Sequence, residues 1–271
     1  MRVERAWQQI LARRDYPVPL QRVLGEMVAA SALMASMLKF DGALVLQLQG
    51  SGPLSLAIVE YYTDHTLRAT ARWDGQISEC SLPELLGEDG CFVLTLDPKR
   101  EGAPPWQGIV ALEGACVSSI LEKYMLHSEQ LDTKLVLTAN EKAAAGLLLQ
   151  RLPDGQGDPE GWTRLALLGK TVSDQELLTL DATQLLRRLF YEETVQVLSC
   201  EPINFACTCT RERVSDMLRM VGVQEIAEIL WEQGSVEITC EFCAQRYVFD
   251  EEEVNELFQF DVMTNANESR H

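Results

Sequence analysis

Four of the eight cysteines in this 271-residue sequence stand in two close pairs. The pairs are Cys207-x-Cys209 and Cys240-x-x-Cys243, and thirty residues separate them. Thiolates in two such pairs are typical of a tetrahedral zinc site, in which each pair wraps one side of the metal and the insert brings the pairs together. We therefore predict that one zinc ion is bound by Cys207, Cys209, Cys240 and Cys243.

The segments beside the cysteines favour a compact support for this site. Residues 211–221 and 223–233 predict two helices. One face of the second helix is predicted to carry Val223, Ile226, Ala227 and Leu230. Alternation from Val236 to Cys240 predicts a strand that leads into a zinc knuckle at Cys240-Glu241-Phe242-Cys243. Asp250-x-x-Glu253 predicts the cap of a last helix.

Other chemistries for these residues are less favoured. A thioredoxin-like dithiol would begin a helix within a βαβ unit, which Cys240-x-x-Cys243 does not do. The pattern of the zinc deaminases is absent. No triad or pair of carboxylates suggests catalysis, so we predict that the protein is not an enzyme. Arg211 and Arg213 leave two interpretations open, since they could favour nearby thiolates or be solvated residues of a helix start.

The four remaining cysteines have no spacing typical of ligands. Because free cysteine behaves as a small apolar residue, we predict that they are buried and inert. They are Cys80, Cys91, Cys116 and Cys200. The methionines at positions 27, 34 and 37 are predicted to belong to the core, where such a set of apolar side chains is more often found than at a binding surface.

Composition and charge exclude several classes of protein. The chain is 46% hydrophobic and 24% charged, which is typical of a folded protein. Its 23 basic and 41 acidic residues give a net charge of -18, which argues against nucleic acid as a partner. No apolar run reaches the roughly 18 residues of a membrane span, and the charged N-terminus does not resemble a signal peptide. We predict a cytoplasmic location, where thiols stay reduced.

The whole chain is predicted to have an α+β fold in three parts. Residues 1–172 form a mixed α/β core domain, residues 173–203 a helical linker, and residues 204–271 a small zinc-binding module. A long helix is predicted over residues 20–38, and residues 154–161 favour a loop. Strands are predicted at residues 43–49, 54–59, 67–73, 92–96, 108–112, 134–138 and 145–152, and a helix at residues 116–126.

The linker carries an apolar stripe that needs a surface to lie on. Ser173-x-x-Glu176 fits a capping box, and Asp181 starts a second helical pattern. We predict helices over most of residues 162–200. The stripe consists of Leu185, Leu186, Leu189 and Phe190. Either neighbouring part of the chain could cover it.

Several stretches resemble one known family, the redox-regulated bacterial holdase chaperones called the thirty-three-kilodalton heat-shock proteins. The strongest resemblance is residues 207–213, Cys-Thr-Cys-Thr-Arg-Glu-Arg, followed by the Cys240-Glu241-Phe242-Cys243 knuckle. Similar core and linker stretches lie at residues 38–42, 47–53, 121–124, 128–131 and 186–193. The family pattern also includes a segment with a strand ahead of the helix that we predict near Val3, and this sequence does not show that segment.

The resemblance implies an ATP-independent chaperone with a redox switch. Reduced, the four cysteines would hold zinc and the protein would be inactive. Oxidants would form the disulfides Cys207–Cys209 and Cys240–Cys243 and release the metal. The module and linker would then unfold, bind unfolding client proteins under oxidative stress, and the chain would form a homodimer.

Energetics agree with such a switch. Each of these very short disulfide loops would stabilise the module by at most about 2 kcal/mol. Zinc bound by four ligands contributes on the order of 10–16 kcal/mol to folding. Oxidation should therefore unfold the module.

The alternative is an α/β binding protein or enzyme with a purely structural zinc. A nucleic-acid-binding zinc ribbon is a distant third, because residues 201–271 contain five basic and fifteen acidic residues.

Overall fold

The computed structural model describes residues 1–100, 102–152 and 160–258. The chain divides into two compact units, Met1–Ala206 and Cys207–His271. The fold is mixed α+β, as predicted. Residues 154–159 of the predicted loop lie outside the described residues. In the described part of the chain, no helix is both long and apolar enough to span a bilayer.

The first unit contains two sheets and a set of helices. Its strands are β1 (Arg2–Val3), β2 (Gly42–Gln49), β3 (Leu54–Tyr62), β4 (Thr66–Trp73), β5 (Cys91–Pro98), β6 (Trp106–Val110), β7 (Thr133–Ala139), β8 (Ala144–Gln150) and β9 (Asn204–Phe205). Its helices are α1 (Arg5–Leu11), α2 (Val18–Ala35), α3 (Leu82–Leu86), α4 (Val117–His127), α5 (Gly161–Gly169), α6 (Asp174–Thr179) and α7 (Ala182–Leu189).

The larger sheet has six strands in the order β6-β5-β2-β3-β4-β9. Its neighbours are antiparallel except for β4 and β9, which run parallel. In central strand β2, alternate residues Leu44, Leu46 and Leu48 are fully buried, because successive side chains of a strand point to opposite faces. Leu46 lies opposite Val59 of β3 and Leu94 of β5. The predicted alternation over residues 43–49 is thus confirmed.

Helix α2 contacts strands of both sheets, including β3 in the larger sheet and β7 and β8 in the smaller sheet of order β1-β8-β7. It is apolar on most sides, which is typical of a helix enclosed by other elements. A Cβ atom on Gly25 would lie 2.2 Å from Cβ of Ala139 and 3.2 Å from the Trp7 ring. Glycine therefore allows α2 to approach β7 closely.

The linker helices lie on the small sheet of their own unit. Leu185, Leu189 and Phe190 are buried in one cluster with Ala145 and Leu147 of β8. The stripe's support is therefore a sheet of the core. The predicted capping box of Ser173 and Glu176 is present, and Asp181 caps α7. The helical pattern ends earlier than predicted, at Leu189, and residues 194–203 have no regular secondary structure.

The second unit holds a small core around a helical insert. Its elements are α8 (Arg211–Val221), α9 (Val223–Gln233), β10 (Val236–Thr239), β11 (Arg246–Phe249) and a helix over residues 251–258. Strands β10 and β11 are antiparallel. The buried cluster consists of Val214, Leu218, Ile226, Val236, Phe249 and Val254. So small a core leaves the unit dependent on other stabilisation.

The predicted apolar face of α9 is partly wrong. Ile226 is buried and Leu230 packs against the core, but Val223 is 54% exposed and Ala227 is exposed too. The buried stripe runs instead through Ile226, Ile229 and Leu230. The cluster is too small to cover the first turn of the helix.

The N-terminal strand β1, which pairs with β8, precedes the helix that we placed near Val3.

Candidate metal centre

The four predicted ligand sulfurs lie together in the second unit. The Sγ atoms of Cys207, Cys209, Cys240 and Cys243 are all within 4.8 Å of one another. Cys207 Sγ is 3.7 Å from Cys240 Sγ, and Cys209 Sγ is 3.3 Å from Cys243 Sγ. These distances are longer than the roughly 2.05 Å of an S–S bond, so they describe the reduced site. Zn–S bonds of about 2.3 Å in a tetrahedron would place sulfurs about 3.8 Å apart.

The second pair lies in a turn between two strands. Strand β10 ends at Thr239, and β11 begins at Arg246. The Cys240 N–H donates to the Gln245 carbonyl at 2.9 Å, and the Ala244 N–H donates to the Cys240 carbonyl at 2.8 Å. Ala244 has a φ of 59°, in the left-handed region that closes such turns. This turn is the knuckle predicted from the Cys-x-x-Cys spacing.

The first pair lies in the segment that leads into helix α8. Thr210 is the N-cap, and its Oγ1 accepts a hydrogen bond from the Arg213 N–H at 3.3 Å. An N-cap residue has extended backbone, which lets the chain approach the helix from the side. Cys207 and Cys209 are both half-buried here. The insert thus begins directly beside one pair, and its last strand leads into the other.

Burial shifts the titration of the second pair. It raises the pKa of the Cys240 thiol, while the backbone N–H groups of Cys243 and Phe242 oppose that shift by hydrogen bonding. Burial raises the pKa of Cys243 as well, and its hydrogen bonds with the other three cysteines raise it further. Four anionic sulfurs this close repel one another, so the deprotonated cluster requires a cation among them.

The donor set fits a soft divalent metal. Four sulfur ligands in a tetrahedral arrangement suit zinc or an iron–sulfur centre, and oxygen-preferring cations such as magnesium are excluded. The four sulfurs are half-buried and sit in a unit with a very small core. Closed, four-ligand sites of this kind stabilise folds and leave no open position for a substrate.

The sequence did not predict that a tyrosine lies beside the cluster. Tyr247 of β11 donates its hydroxyl to Cys209 Sγ at 3.3 Å. This hydrogen bond is the largest of the causes that raise the pKa of Tyr247 to about 12. Hydrogen bonds to ligands orient them and tune their reactivity. The only sequence signal was that Tyr247 alternates with Phe249 in a strand after the knuckle.

Arg211 has a structural role that neither of the two interpretations from the sequence anticipated. Its guanidinium donates to the Val248 carbonyl at 2.9 Å and pairs with Glu253. Its Cζ lies 4.2 Å from the centroid of the Phe249 ring. Arg211 therefore ties the start of α8 to the end of β11 and to the last helix. Arg213 donates to the Thr208 carbonyl at 3.2 Å, within the loop of the first pair.

The prediction that the other four cysteines are buried is wrong for three of them. Cys80, Cys116 and Cys200 are exposed, and Cys91 is half-buried. Cys116 occupies the N-cap of α4, and Cys80 and Cys200 lie in segments without regular structure. The tendency of cysteine to be buried is an average over many positions. It does not hold for these cysteines, which lie at a helix cap or in segments without regular structure.

Comparison with known proteins identifies the family. The family model described as Hsp33 protein matches residues 1–250. The chain is 58% identical to the 33 kDa chaperonin of Chromobacterium violaceum over all 271 residues, covering 92% of that protein. This chain belongs to the Hsp33 family. It is also 47% identical to the 33 kDa chaperonin of Neisseria meningitidis serogroup B, over 97% of this chain and 87% of that protein.

A solved structure supports the fold of this Hsp33 family member independently. The crystal structure of the 33 kDa chaperonin of Thermotoga maritima superposes with a TM-score of 0.81. The match covers 95% of this chain and 91% of the other, at 22% sequence identity. The predicted family and the α+β fold are therefore confirmed, and the chain is a chaperone by family.

Proposed function

We propose that this chain is a redox-gated, ATP-independent holdase that binds unfolding proteins and prevents their aggregation. The observation that carries the proposal is the cluster of four sulfurs within 4.8 Å in a unit with only a small apolar core. A unit of this kind folds with its metal and unfolds without it. Membership of the Hsp33 family supports the chaperone activity.

In the reduced state, Cys207, Cys209, Cys240 and Cys243 hold one zinc ion. The metal supplies the positive charge that lets four thiolates lie together. The backbone N–H groups at Cys240 and the Tyr247 hydroxyl at Cys209 orient two of the sulfurs. In this state both units are folded and the protein does not bind clients.

Oxidation converts the thiolates into the disulfides Cys207–Cys209 and Cys240–Cys243. For each bond, two thiolates lose two electrons, and one peroxide takes these electrons and two protons to become two waters. A disulfide sulfur is a poor ligand, so zinc leaves. All six Sγ separations are within 4.8 Å, and the pairing of sequence neighbours follows the family resemblance. Pairing across the knuckles would instead cross-link the unit and oppose its unfolding.

Unfolding of the second unit spreads along the chain into the linker, and the α7 stripe then leaves β8 and becomes a binding surface. The stripe of α7 lies on β8, and the irregular segment that follows carries the exposed residues Val197 and Leu198. The net charge of -18 keeps a partly unfolded chain soluble while it holds apolar clients. The same charge disfavours nucleic acid. We further propose that the chain acts in the cytoplasm without catalysis and forms a homodimer when oxidised.

Light scattering of a thermally unfolding client tests the proposal. The reduced, zinc-loaded chain should leave aggregation unchanged, and the same chain after peroxide at elevated temperature should suppress it. Reductant and zinc should reverse the effect, and size-exclusion chromatography should show the dimer in the oxidised sample only. Mapping of disulfides by mass spectrometry tests the pairing. If neither sample suppresses aggregation and peroxide does not release zinc, the metal is purely structural and the chain is a binding protein or enzyme.

A further inference from the structure

Strand β9 covers the end of the larger sheet at β4. The Asn204 N–H donates to the His65 carbonyl at 3.0 Å, and the Ala206 N–H donates to the Leu67 carbonyl at 3.1 Å. Leu67 is fully buried. Without β9, these two carbonyls would lack their partners, and unpaired backbone groups in a buried position are costly. Further along the same edge, Arg14 donates to the Ala71 carbonyl at 2.7 Å.

The side chains around β9 alternate between apolar and polar. Ile203 and Phe205 pack partly buried against the main core, while Asn204 between them is exposed. The Arg13 guanidinium lies 5.2 Å from the centroid of the Phe205 ring. Pro202 has no N–H, so the ladder cannot extend past it. The covering segment is thus a short extended strand with apolar side chains at alternate positions.

This strand is held by few interactions. Residues 194–203 before it have no regular secondary structure. After it, the chain passes through Ala206 directly into Cys207, the first predicted zinc ligand. A two-residue backbone ladder, two half-buried side chains and the Arg13 contact therefore hold β9 on the sheet. When the second unit unfolds, the folded anchor on its C-terminal side is lost.

We propose that the β4 edge at residues 65–67 binds an extended segment of an unfolded polypeptide in the place of residues 203–205. The occupant carries apolar side chains at alternate positions, because it fills the sites of Ile203 and Phe205. It adds to the sheet as a strand. Its sequence is otherwise unrestricted, since its backbone makes the hydrogen bonds. The release step rests on the proposed redox function.

The opposite edge of the same sheet offers a matched control. Strand β6 ends the sheet there, and its Ile109 is 77% exposed. In the described part of the chain no strand pairs with the outer side of β6. Because β6 is uncovered in the folded protein, client binding at β6 would not depend on oxidation. Binding at β4 requires the departure of β9 and is therefore gated.

A six-residue peptide tests this site with the full chain. Its sequence is that of residues 201–206, Glu-Pro-Ile-Asn-Phe-Ala, with blocked ends and a fluorophore. We expect it to bind the peroxide-oxidised chain and not the reduced, zinc-loaded chain. The control peptide carries N-methyl groups on the two amides that correspond to Asn204 and Ala206. It keeps every side chain but lacks both donors, so it should bind at least about tenfold more weakly, which is about 1.4 kcal/mol.

A variant of the chain gives a second measurement. Phe205→Ser weakens β9, so the reduced protein should gain binding of the parent peptide, while Ile109→Ser should leave binding unchanged. Equal binding of the parent and the N-methylated peptide would overturn strand addition. Equal binding to the reduced and oxidised wild-type chain would overturn the gating by β9.

Client assays separate this proposal from the proposed function. If the oxidised chain suppresses client aggregation but the peptide neither binds nor competes with the client, the β4 site is wrong and the holdase function stands. If the oxidised chain fails to suppress aggregation and retains its zinc, the redox function is wrong, and the gated edge is wrong with it.

Discussion

Replacing Cys240 by serine tests whether the second unit depends on its metal. The substitution removes one of four sulfurs that lie within 4.8 Å of one another. It leaves the backbone of the knuckle in place, because the Cys240 N–H and carbonyl bond to Gln245 and Ala244 whatever the side chain. Serine is close in size to cysteine, so the change concerns the ligand and adds no steric strain.

The expected effect exceeds the stability of an ordinary domain. A four-thiolate zinc site contributes on the order of 10–16 kcal/mol to folding, while a whole domain has a net stability of about 5–15 kcal/mol. Among the described residues of the second unit, six buried side chains form the core, and a core of that size does not hold a unit together alone. The first unit has a separate and much larger core. Cys240→Ser should therefore unfold residues 207–258, release β9 and the linker, and leave the large core of the first unit folded.

Hydrogen exchange with mass spectrometry measures this outcome segment by segment. In the zinc-loaded wild type, peptides that contain the amides of Ala244 and Val254 should be protected, since these amides donate to backbone carbonyls. In Cys240→Ser they should exchange at once, while peptides from β2 remain protected. Wild type treated with a chelator should give the same pattern. Bound zinc per chain is measured in parallel.

Cys200→Ser is the matched control, because Cys200 is an exposed thiol outside the cluster. It should keep one zinc per chain and wild-type exchange. The reasoning is refuted if Cys240→Ser retains one tightly bound zinc, or if it loses zinc and the second unit stays protected. The latter result would mean that the apolar core suffices, and oxidation could not then unfold the unit by releasing the metal.

Three further predictions concern single side chains. Tyr247→Phe removes the hydrogen bond to Cys209 Sγ, so zinc should bind about tenfold more weakly in a chelator competition and be released faster by peroxide. Arg211→Lys loses the stacking on Phe249 and the fork that bonds Val248 and Glu253; chemical denaturation of the zinc-loaded chain should show the second unit less stable by about 1 kcal/mol. Burial raises the pKa of Glu26 from 4.5 to about 7, so the folded state keeps a proton that the unfolded state releases, and stability should fall as pH rises through this window. Glu26→Gln should flatten that slope and be more stable than wild type at pH 8 by about 2 kcal/mol, measured as denaturation midpoints at pH 5 and pH 8.

Local secondary structure could be predicted well from the sequence. The tertiary contacts of these elements could be predicted less well. Alternation identified β2 and β3, and capping residues identified α6 and α7, because both signals depend on neighbours a few positions away. The surface under α7 could not be predicted, since Ala145 and Leu147 lie about forty residues earlier. Strand β9 was missed altogether. With two residues, it has no periodicity, and only its pairing with Thr66 and Leu67 of β4 defines it.

The metal centre shows the same division between spacing and environment. The Cys-x-Cys and Cys-x-x-Cys spacings predicted which sulfurs meet, because each pair is positioned by its own short turn. The groups around the sulfurs depended on the pairing of β10 with β11 and on the start of α8. Tyr247 and Arg211 therefore acquired their contacts only in three dimensions. The exposure of Cys80, Cys116 and Cys200 was likewise set by position in turns and caps.

The magnitudes explain how the proposed metal of the second unit can control the β4 edge. The short β4–β9 ladder, at about 1 kcal/mol for each backbone hydrogen bond, and two half-buried apolar side chains at about 1 kcal/mol each hold β9 by roughly 5 kcal/mol. In the proposed zinc-bound state, the metal would contribute on the order of 10–16 kcal/mol to the unit that begins at Cys207, directly after Ala206. In the proposed switch, the free energy that the metal contributes to folding of the second unit therefore exceeds the free energy that holds β9 on the sheet. Once its anchor unfolds, the strand competes with unfolded clients, and a client can replace it because the client forms the same backbone hydrogen bonds.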